Sequence, residues 1–509
     1  MRTLPLRLAV PVLGACSLVL TPAVARVAPT NTIEGIWVIG ETPPFPGLRM
    51  ARIERRGDTL SGTITTDWYG DMPMQNLRMD GAVASFEIDN GNPRLGAKTW
   101  TATLSGGTLR IAGDVWHQHV DVAAVPGTEA QARARAFPTY PLPALRALPD
   151  NGLARTPPMG WSSWNKFAAE IDDKTVRQIA DAMVASGLRD AGYVHINIDD
   201  GWQGKRDAQG VLQPNAKFPD MKALADYVHA RGMKLGIYSS PGPKTCAGYE
   251  GSYGHVEQDA RTFAAWGIDY LKYDLCSGEG IYRTPEAVKA AYQQMGAALQ
   301  ASGRPIVYSL CQYGRNDVGA WGRAVGGNLW RTTRDIEDTY ESMAKIGFDT
   351  NGSPEHVGVG GWNDPDMLEI GNGGMTPDEY RSHMALWAIQ AAPLILGHDV
   401  RAMDAETRAI LTNAAVIAVD QDALGAPGVR IGGEGALSIW RKPLADGSYA
   451  LAVFNRSAAP LASTLSFAAL GLTAPEMVTE LWAGRQVAVA DGALPLALPP
   501  HGTMLFRVR

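Results

Sequence analysis

Between residues 157 and 415, short apolar runs alternate with longer stretches whose apolar residues recur every three or four positions, and this alternation constrains the fold more than any other feature. The runs near 159–161, 193–198, 234–238, 270–274, 306–309, 328–331, 357–361 and 393–396 read as strands. Amphipathic stretches at 174–186, 221–231, 258–266, 285–302, 377–390 and 405–413 read as helices between or after them. Strands that alternate with helices pair in parallel. Eight such units in about 260 residues match the size of a (β/α)8 barrel.

The flanks have a different texture. Residues 31–125 hold short alternating runs broken by turn signals, such as Trp100-Thr101-Ala102-Thr103-Leu104 and Thr108-Leu109-Arg110-Ile111 on either side of Ser105-Gly106-Gly107. They predict an all-β barrel or sandwich of about a hundred residues. Trp68, Tyr69, Trp100 and Trp116 there can line a carbohydrate surface or fill a core, and core packing is the favoured reading. His117 and His119 share a strand face, but two histidines without a third ligand do not make a metal site. Residues 126–148 lack periodicity and read as a linker, and from about 425 the alternation turns β-type again, predicting a C-terminal antiparallel sandwich. The expected division is therefore 31–125 N-terminal β domain, 126–148 linker, 149–420 barrel and 421–509 sandwich.

The start of the chain reads as an export signal over 1–25: Arg2 and Arg7, an apolar run from Leu8 to Leu20, and a small-residue cleavage site at Ala23-Val24-Ala25. Leu13-Gly14-Ala15-Cys16 offers a lipid-anchored alternative, disfavoured because Leu18 to Leu20 continue the apolar run past Cys16. No later run is long enough to span a bilayer. The expectation is an exported protein, periplasmic or extracellular. A net charge of −6 gives no electrostatic case for nucleic acid. Beyond Cys16 only Cys246, Cys276 and Cys311 remain, which permits one disulfide and one free thiol.

Barrel enzymes carry their chemistry at the C-terminal ends of the strands, and polar residues gather there repeatedly. Strand two runs into Asp199-Asp200-Gly201-Trp202, strand three ends at Tyr238, and strand four reads Tyr270-Leu271-Lys272-Tyr273-Asp274. Strand five leads to Cys311-Gln312-Tyr313, strand six to Arg331-Thr332-Thr333-Arg334-Asp335, and strand seven to Asp364-Pro365-Asp366-Met367. Alternation puts Lys272 and Asp274 on one face, where the lysine would hold the acid ionised. Carboxylates and tryptophans around one rim suit glycoside hydrolysis, which sets two carboxyl groups about one bond. No cofactor or metal is called for.

The stretch from Asp150 to Asn165, containing Met159-Gly160-Trp161-Ser162-Ser163-Trp164-Asn165, resembles the opening of glycoside hydrolase family 27, the melibiase-like α-galactosidases and α-N-acetylgalactosaminidases. The family's further motifs stand at Ile198-Asp199-Asp200, at Leu271-Lys272-Tyr273-Asp274 and from Gly361 to Met367. The resemblance covers about 150–509 and leaves out 31–125.

It implies an exo-acting, retaining α-galactosidase with Asp274 as nucleophile and Asp335 as general acid/base, their carboxyls about 5–5.5 Å apart. By the same resemblance Trp164 would cover the sugar's apolar face, Asp199 and Asp200 would accept from O4 and O6, Lys272 would reach O3 and O4, and Arg331 and Asp366 would hold O2. Tyr238, Cys246 and Met367 match further wall positions, and the family bonds Cys246 to Cys276. A second family disulfide is missing in both halves, at Ala169 and Gly201. Where many relatives carry Glu and Trp after strand five, this chain has Gln312 and Tyr313. Cys311 and Tyr313 there favour a galactose 2-hydroxyl over an acetamido group. A β-L-arabinopyranosidase, disfavoured by Asp199, or an α-N-acetylgalactosaminidase of the same family is the alternative; a sugar-binding protein without turnover is the remote one. The expected substrates are α-galactoside oligosaccharides or polysaccharide side chains.

Overall fold

Eight short parallel strands form the centre of the molecule: β1 (Met159–Ser162), β2 (His195–Asn197), β3 (Lys234–Ser239), β4 (Tyr270–Asp274), β5 (Val307–Cys311), β6 (Leu329–Arg331), β7 (Trp362–Asp364) and β8 (Leu394–Leu396). The computed structural model describes residues 32–39, 47–66, 70–88, 98–115, 118–133 and 140–509. Each strand pairs in parallel with its sequence neighbour, and β1 pairs with β8. A bridge from Leu368, just past β7, to Leu396 closes the ring. The barrel is the (β/α)8 type that the alternation predicts.

The intervening helices begin where the sequence supplies N-caps. Asp172, Asp220 and Thr284 accept backbone N–H groups at the starts of Asp173–Ala185, Met221–His229 and Pro285–Ala301. Thr376 and Glu379 form a reciprocal capping box for Pro377–Ile389. One strand expectation fails. The run 357–361 is not β7; Gly358 and Gly361 bridge a turn there, and the strand is Trp362–Asp364. Valine–glycine alternation imitates a strand, but Gly360 at φ 86° breaks it, and the buried Trp362 supplies the core residue instead.

The N-terminal strands form a nine-stranded antiparallel meander whose two edges, Gly70–Pro73 and Gln75–Asp80, are consecutive in sequence. They meet at Met74, and the continuous segment 70–80 pairs along its first half with Thr59–Thr66 and along its second half with Val83–Ile88, so the sheet closes on itself as a barrel. Its interior is filled by Trp37, Phe86, Trp100, Ile111 and their neighbours, so Trp100 is core. His119 pairs with Asp114 at 2.7 Å on the surface. Trp68, Tyr69, Trp116, His117 and the export signal lie outside the described residues.

Residues 126–148, read from the sequence as a linker, include ordered pieces among the described residues. A short helix occupies Glu129–Arg133. Residues 140–148 lie on the catalytic barrel, where Gln293 donates to Ala144 O and accepts from Arg146 N. At the C-terminus a six-stranded sheet faces the pair Leu461–Ser466 and Ala493–Leu498 across an apolar core. Among the described residues, no helix is long and apolar enough to cross a membrane.

Candidate active site

The C-terminal ends of the barrel strands surround a cavity of about 200 Å³. Strand β4 delivers Asp274 to its floor, 4 % exposed. Its Oδ2 accepts hydrogen bonds from the Tyr238 and Tyr313 hydroxyls, each at 3.1 Å, while Oδ1 accepts none. Burial pushes the Asp274 pKa up to about 6; the Asp335 charge pushes the same way, while Lys272 is the chief opposing influence. One oxygen is thus anchored by two donors in a desolvated site, where the charged form of a carboxyl group is disfavoured.

Strand β6 supplies Arg331, 2 % exposed, as the hub of the acids around it. Its Nη2 lies 3.2 Å from Asp335 Oδ1 and 3.1 Å from Asp366 Oδ2. Asp366 in turn accepts the N–H of Ile336, tying the loop that carries Asp335 to the loop after β7. Asp366 is at φ 86°, a conformation costing on the order of 1 kcal/mol or more that the surrounding contacts must hold in place.

The opposite wall comes from β2 and β4. Lys272 pairs with Asp199 at 2.8 Å, a contact that differs from the expected Lys272–Asp274 pair. Both acids lie within its field, but the ammonium reaches across to β2. Asp199 also accepts the N–H of Asp200, so both its oxygens are engaged. Asp200 accepts the N–H of Ala247 through Oδ2 and leaves Oδ1 bare; burial and the charges of Asp199 and Asp274 raise its pKa to about 7.

Trp164, which opens the short helix after β1, lines the cavity together with Cys246 and Met367. Cys246 and Cys276 form a disulfide, and Cys276 Sγ lies 3.1 Å from the Tyr238 hydroxyl. These two sulfurs and an Asp274 oxygen lie within 4.8 Å of one another, but sulfurs bonded to each other cannot ligate a metal as thiolates. Ala169 and Gly201, the places of the missing second disulfide, are in contact: a Cβ at Gly201 would lie 3.1 Å from that of Ala169.

Of the residues the sequence singles out, all but Cys311 line this cavity. Cys311 is fully buried behind it, opposite Asp274 in the β4–β5 register, with Sγ 3.9 Å from Arg331 Nη1. Asn165, Glu279, Arg315 and Arg334 also line the cavity and were not anticipated. The last three sit in loops beyond the strand ends. Asn165, beside Trp164, and Arg334, beside Asp335, lay within motifs already marked.

A (β/α)8 barrel with paired carboxylates over a small polar cavity defines a glycoside hydrolase. Residues 156–422 match the family model described as alpha galactosidase A, and residues 434–508 match its C-terminal β-sandwich domain. The α-galactosidase of Cyamopsis tetragonoloba is 47% identical over 71% of this chain and 88% of its own length. The crystal structure of α-galactosidase I from Mortierella vinacea is 34% identical, with a TM-score of 0.67 over 71% of this chain and 98% of that one. A Bacteroides fragilis structure, of a candidate α-galactosidase/melibiase, is 32% identical with a TM-score of 0.66 and covers 94% of this chain and 98% of its own. The chain belongs to the melibiase family, glycoside hydrolase family 27.

Proposed function

We infer that the protein is an exo-acting, retaining α-galactosidase whose nucleophile is Asp274 and whose general acid/base is Asp335. The observation that carries this reading is the setting of Asp274: two tyrosines hold Oδ2 of a buried carboxyl group that lines the cavity together with Asp335. In the first step the Asp274 carboxylate attacks the anomeric carbon as Asp335 gives its proton to the departing glycosidic oxygen. A galactosyl ester forms on Asp274 and the leaving group departs as an alcohol. In the second step Asp335 takes a proton from water, the water oxygen attacks the same carbon, and the Asp274 carboxylate is released. Two inversions give net retention.

Sugar identity follows from the polar wall. The Lys272–Asp199 pair and the bare Oδ1 of Asp200 offer a donor and acceptors to the axial O4 and to O6. Arg331 and Asp366 take O2, and Trp164 covers the apolar face. A sugar of the wrong stereochemistry leaves such buried groups unpaired at about 1–3 kcal/mol each. The proposed division of labour gives catalysis to 149–420 and a supporting role to the sandwich at 421–509. The N-terminal β-barrel is an accessory to the fold or to sugar binding. The proposed substrates are α-galactoside oligosaccharides or polysaccharide side chains. The disulfide supports a place outside the cytoplasm, as the export signal at 1–25 implies.

The test is hydrolysis of matched aryl glycosides: the α-galactoside, the α-N-acetylgalactosaminide and the β-L-arabinopyranoside. The α-galactoside is expected to be cut fastest, with retention, and Asp274→Asn to abolish turnover. Preference for another sugar would overturn the assignment of the Asp199 or Tyr313 walls. Undiminished activity in Asp274→Asn would overturn the nucleophile.

A further inference from the structure

Glycone recognition does not use every polar group of the cavity. Glu279, from the short turn Cys276–Gly280 after β4, pairs with Arg315, from the loop after β5, at 2.8 Å. The Arg315 side chain is 45% exposed, against 2% for Arg331 and 5% for Asp366, so the pair stands at the mouth and not on the floor. Glu279 is half-buried, and the charges of Arg315, Arg334 and Asp274 all act on it. Arg334 is exposed, lines the same cavity and directly precedes Asp335.

Position gives this cluster its meaning. In a pocket that closes around one terminal sugar, the ring occupies the floor and the glycosidic bond points outward. Asp335 has to reach the glycosidic oxygen, so the group beyond that oxygen lies against the part of the mouth next to Asp335. Arg334, Glu279 and Arg315 stand there. The loop holding Arg315 is kept in an unfavourable shape: Tyr313, Asn316 and Asp317 have φ of 62°, 56° and 52°. Non-glycine residues keep such angles only where the surrounding structure holds them. The same loop aims Tyr313 at Asp274 and Arg315 at Glu279.

We propose that Glu279 and Arg315, with Arg334, form a leaving-group subsite for a hydroxyl-rich sugar, which makes α-galactosyl saccharides the preferred substrates over aryl or apolar galactosides. The proposal rests on the α-galactosidase reading above. The carboxylate accepts from vicinal hydroxyls of the second sugar, and the guanidinium groups donate to its oxygens; an aryl ring offers neither.

The experiment compares kcat/KM on melibiose and on 4-nitrophenyl α-galactoside for wild type, Glu279→Gln, Arg315→Ala and Arg334→Ala, with thermal midpoints measured alongside. Arg334 is exposed, so its variant folds even where the other two do not. The expected result is a fall of tenfold or more in the ratio of melibiose to aryl kcat/KM for Glu279→Gln and Arg315→Ala, and a smaller fall for Arg334→Ala. Added glucose should also intercept the galactosyl-enzyme less well, relative to water, in the same variants. Parallel loss on both substrates, or unshifted ratios, would make the ion pair a structural brace and overturn the subsite. A wild type that cuts neither galactoside would overturn the α-galactosidase reading itself, so the two failures are distinguishable.

Discussion

Asp274 is ionised only against the pull of its surroundings, and that has consequences in pH. With its pKa raised to about 6, kcat/KM is expected to fall below roughly pH 6 as the proposed nucleophile takes up a proton. Lys272→Met removes the cation that most favours the charged form, so the acid limb should move to higher pH. Tyr313→Phe removes a donor to Oδ2 and should move it the same way. A pH–rate profile checks both, and a limb that stays in place would refute the electrostatic account. Stability carries the opposite sign from the usual carboxylate. The folded state keeps a proton that the unfolded chain releases near pH 4, so stability from this group declines as pH rises from about 4 to 6. The full penalty, up to about 3 kcal/mol for a two-unit shift, is present above pH 6. Asp274→Asn should therefore melt higher than wild type at pH 7 and close to it at pH 4. At this scale most of the residues that line the cavity were legible because they lie at or just after strand ends, many inside recognisable motifs. Glu279 and Arg315 were not, because their place at the mouth depends on how two loops fold back, which local pattern does not encode.

The loop after β5 shows how one element couples the two halves of the site. Gly314 is at φ 77°, and its N–H bonds to Arg331 O. A Cβ there would lie 2.3 Å from Thr332 O, so the backbone of this loop presses directly on the loop that carries Asp335. Gly314→Ala should force the two apart and displace Tyr313 and Arg331 together. The expected loss in kcat/KM is on the order of a hundredfold, from a displacement near 1 Å. The accompanying drop in stability is about 1–3 kcal/mol. Kinetics and thermal denaturation of the same preparation check both, and wild-type kinetics would mean that the loops move independently. The elements themselves read well from sequence where periodicity and caps agreed, as for β4 and the helix from Pro285. They read badly where glycine mimicked a pattern: the alternation at 357–361 had the period of a strand but not the side chains to hold one. For the N-terminal sheet the sequence left barrel and sandwich both open, because closure depends on the one segment 70–80 carrying both edges of the meander.

Across the whole molecule the two β domains relate differently to the catalytic barrel. Trp440, Ala452, Phe454 and Leu505 of the C-terminal sheet belong to the same apolar cluster as the barrel residues Trp387 and Ile389. Phe348 packs edge-on against Phe454 at 5.1 Å. At the same junction His501 stacks on Tyr340 and bonds to Glu379 at 2.6 Å. The sheet's other face is buried in the sandwich core through Ile439, Leu451 and Phe506. Removing 434–508 would thus strip one side of the helix Pro377–Ile389, nine of whose residues are buried. The N-terminal barrel instead has a core of its own, separate from that cluster. Tyr140, the first described residue after the N-terminal domain, packs its ring on Tyr253 of the catalytic barrel at 5.1 Å. A chain beginning at Tyr140 keeps that contact and the bonds of Gln293 to 144–146. It should fold and cut small α-galactosides within about twofold of the full protein, whereas a chain ending before 434 should be insoluble or inactive. Expression, thermal denaturation and aryl-galactoside kinetics of the two truncations decide it. If the chain beginning at Tyr140 loses activity while remaining folded, the N-terminal barrel takes part in catalysis on small substrates and is more than an accessory.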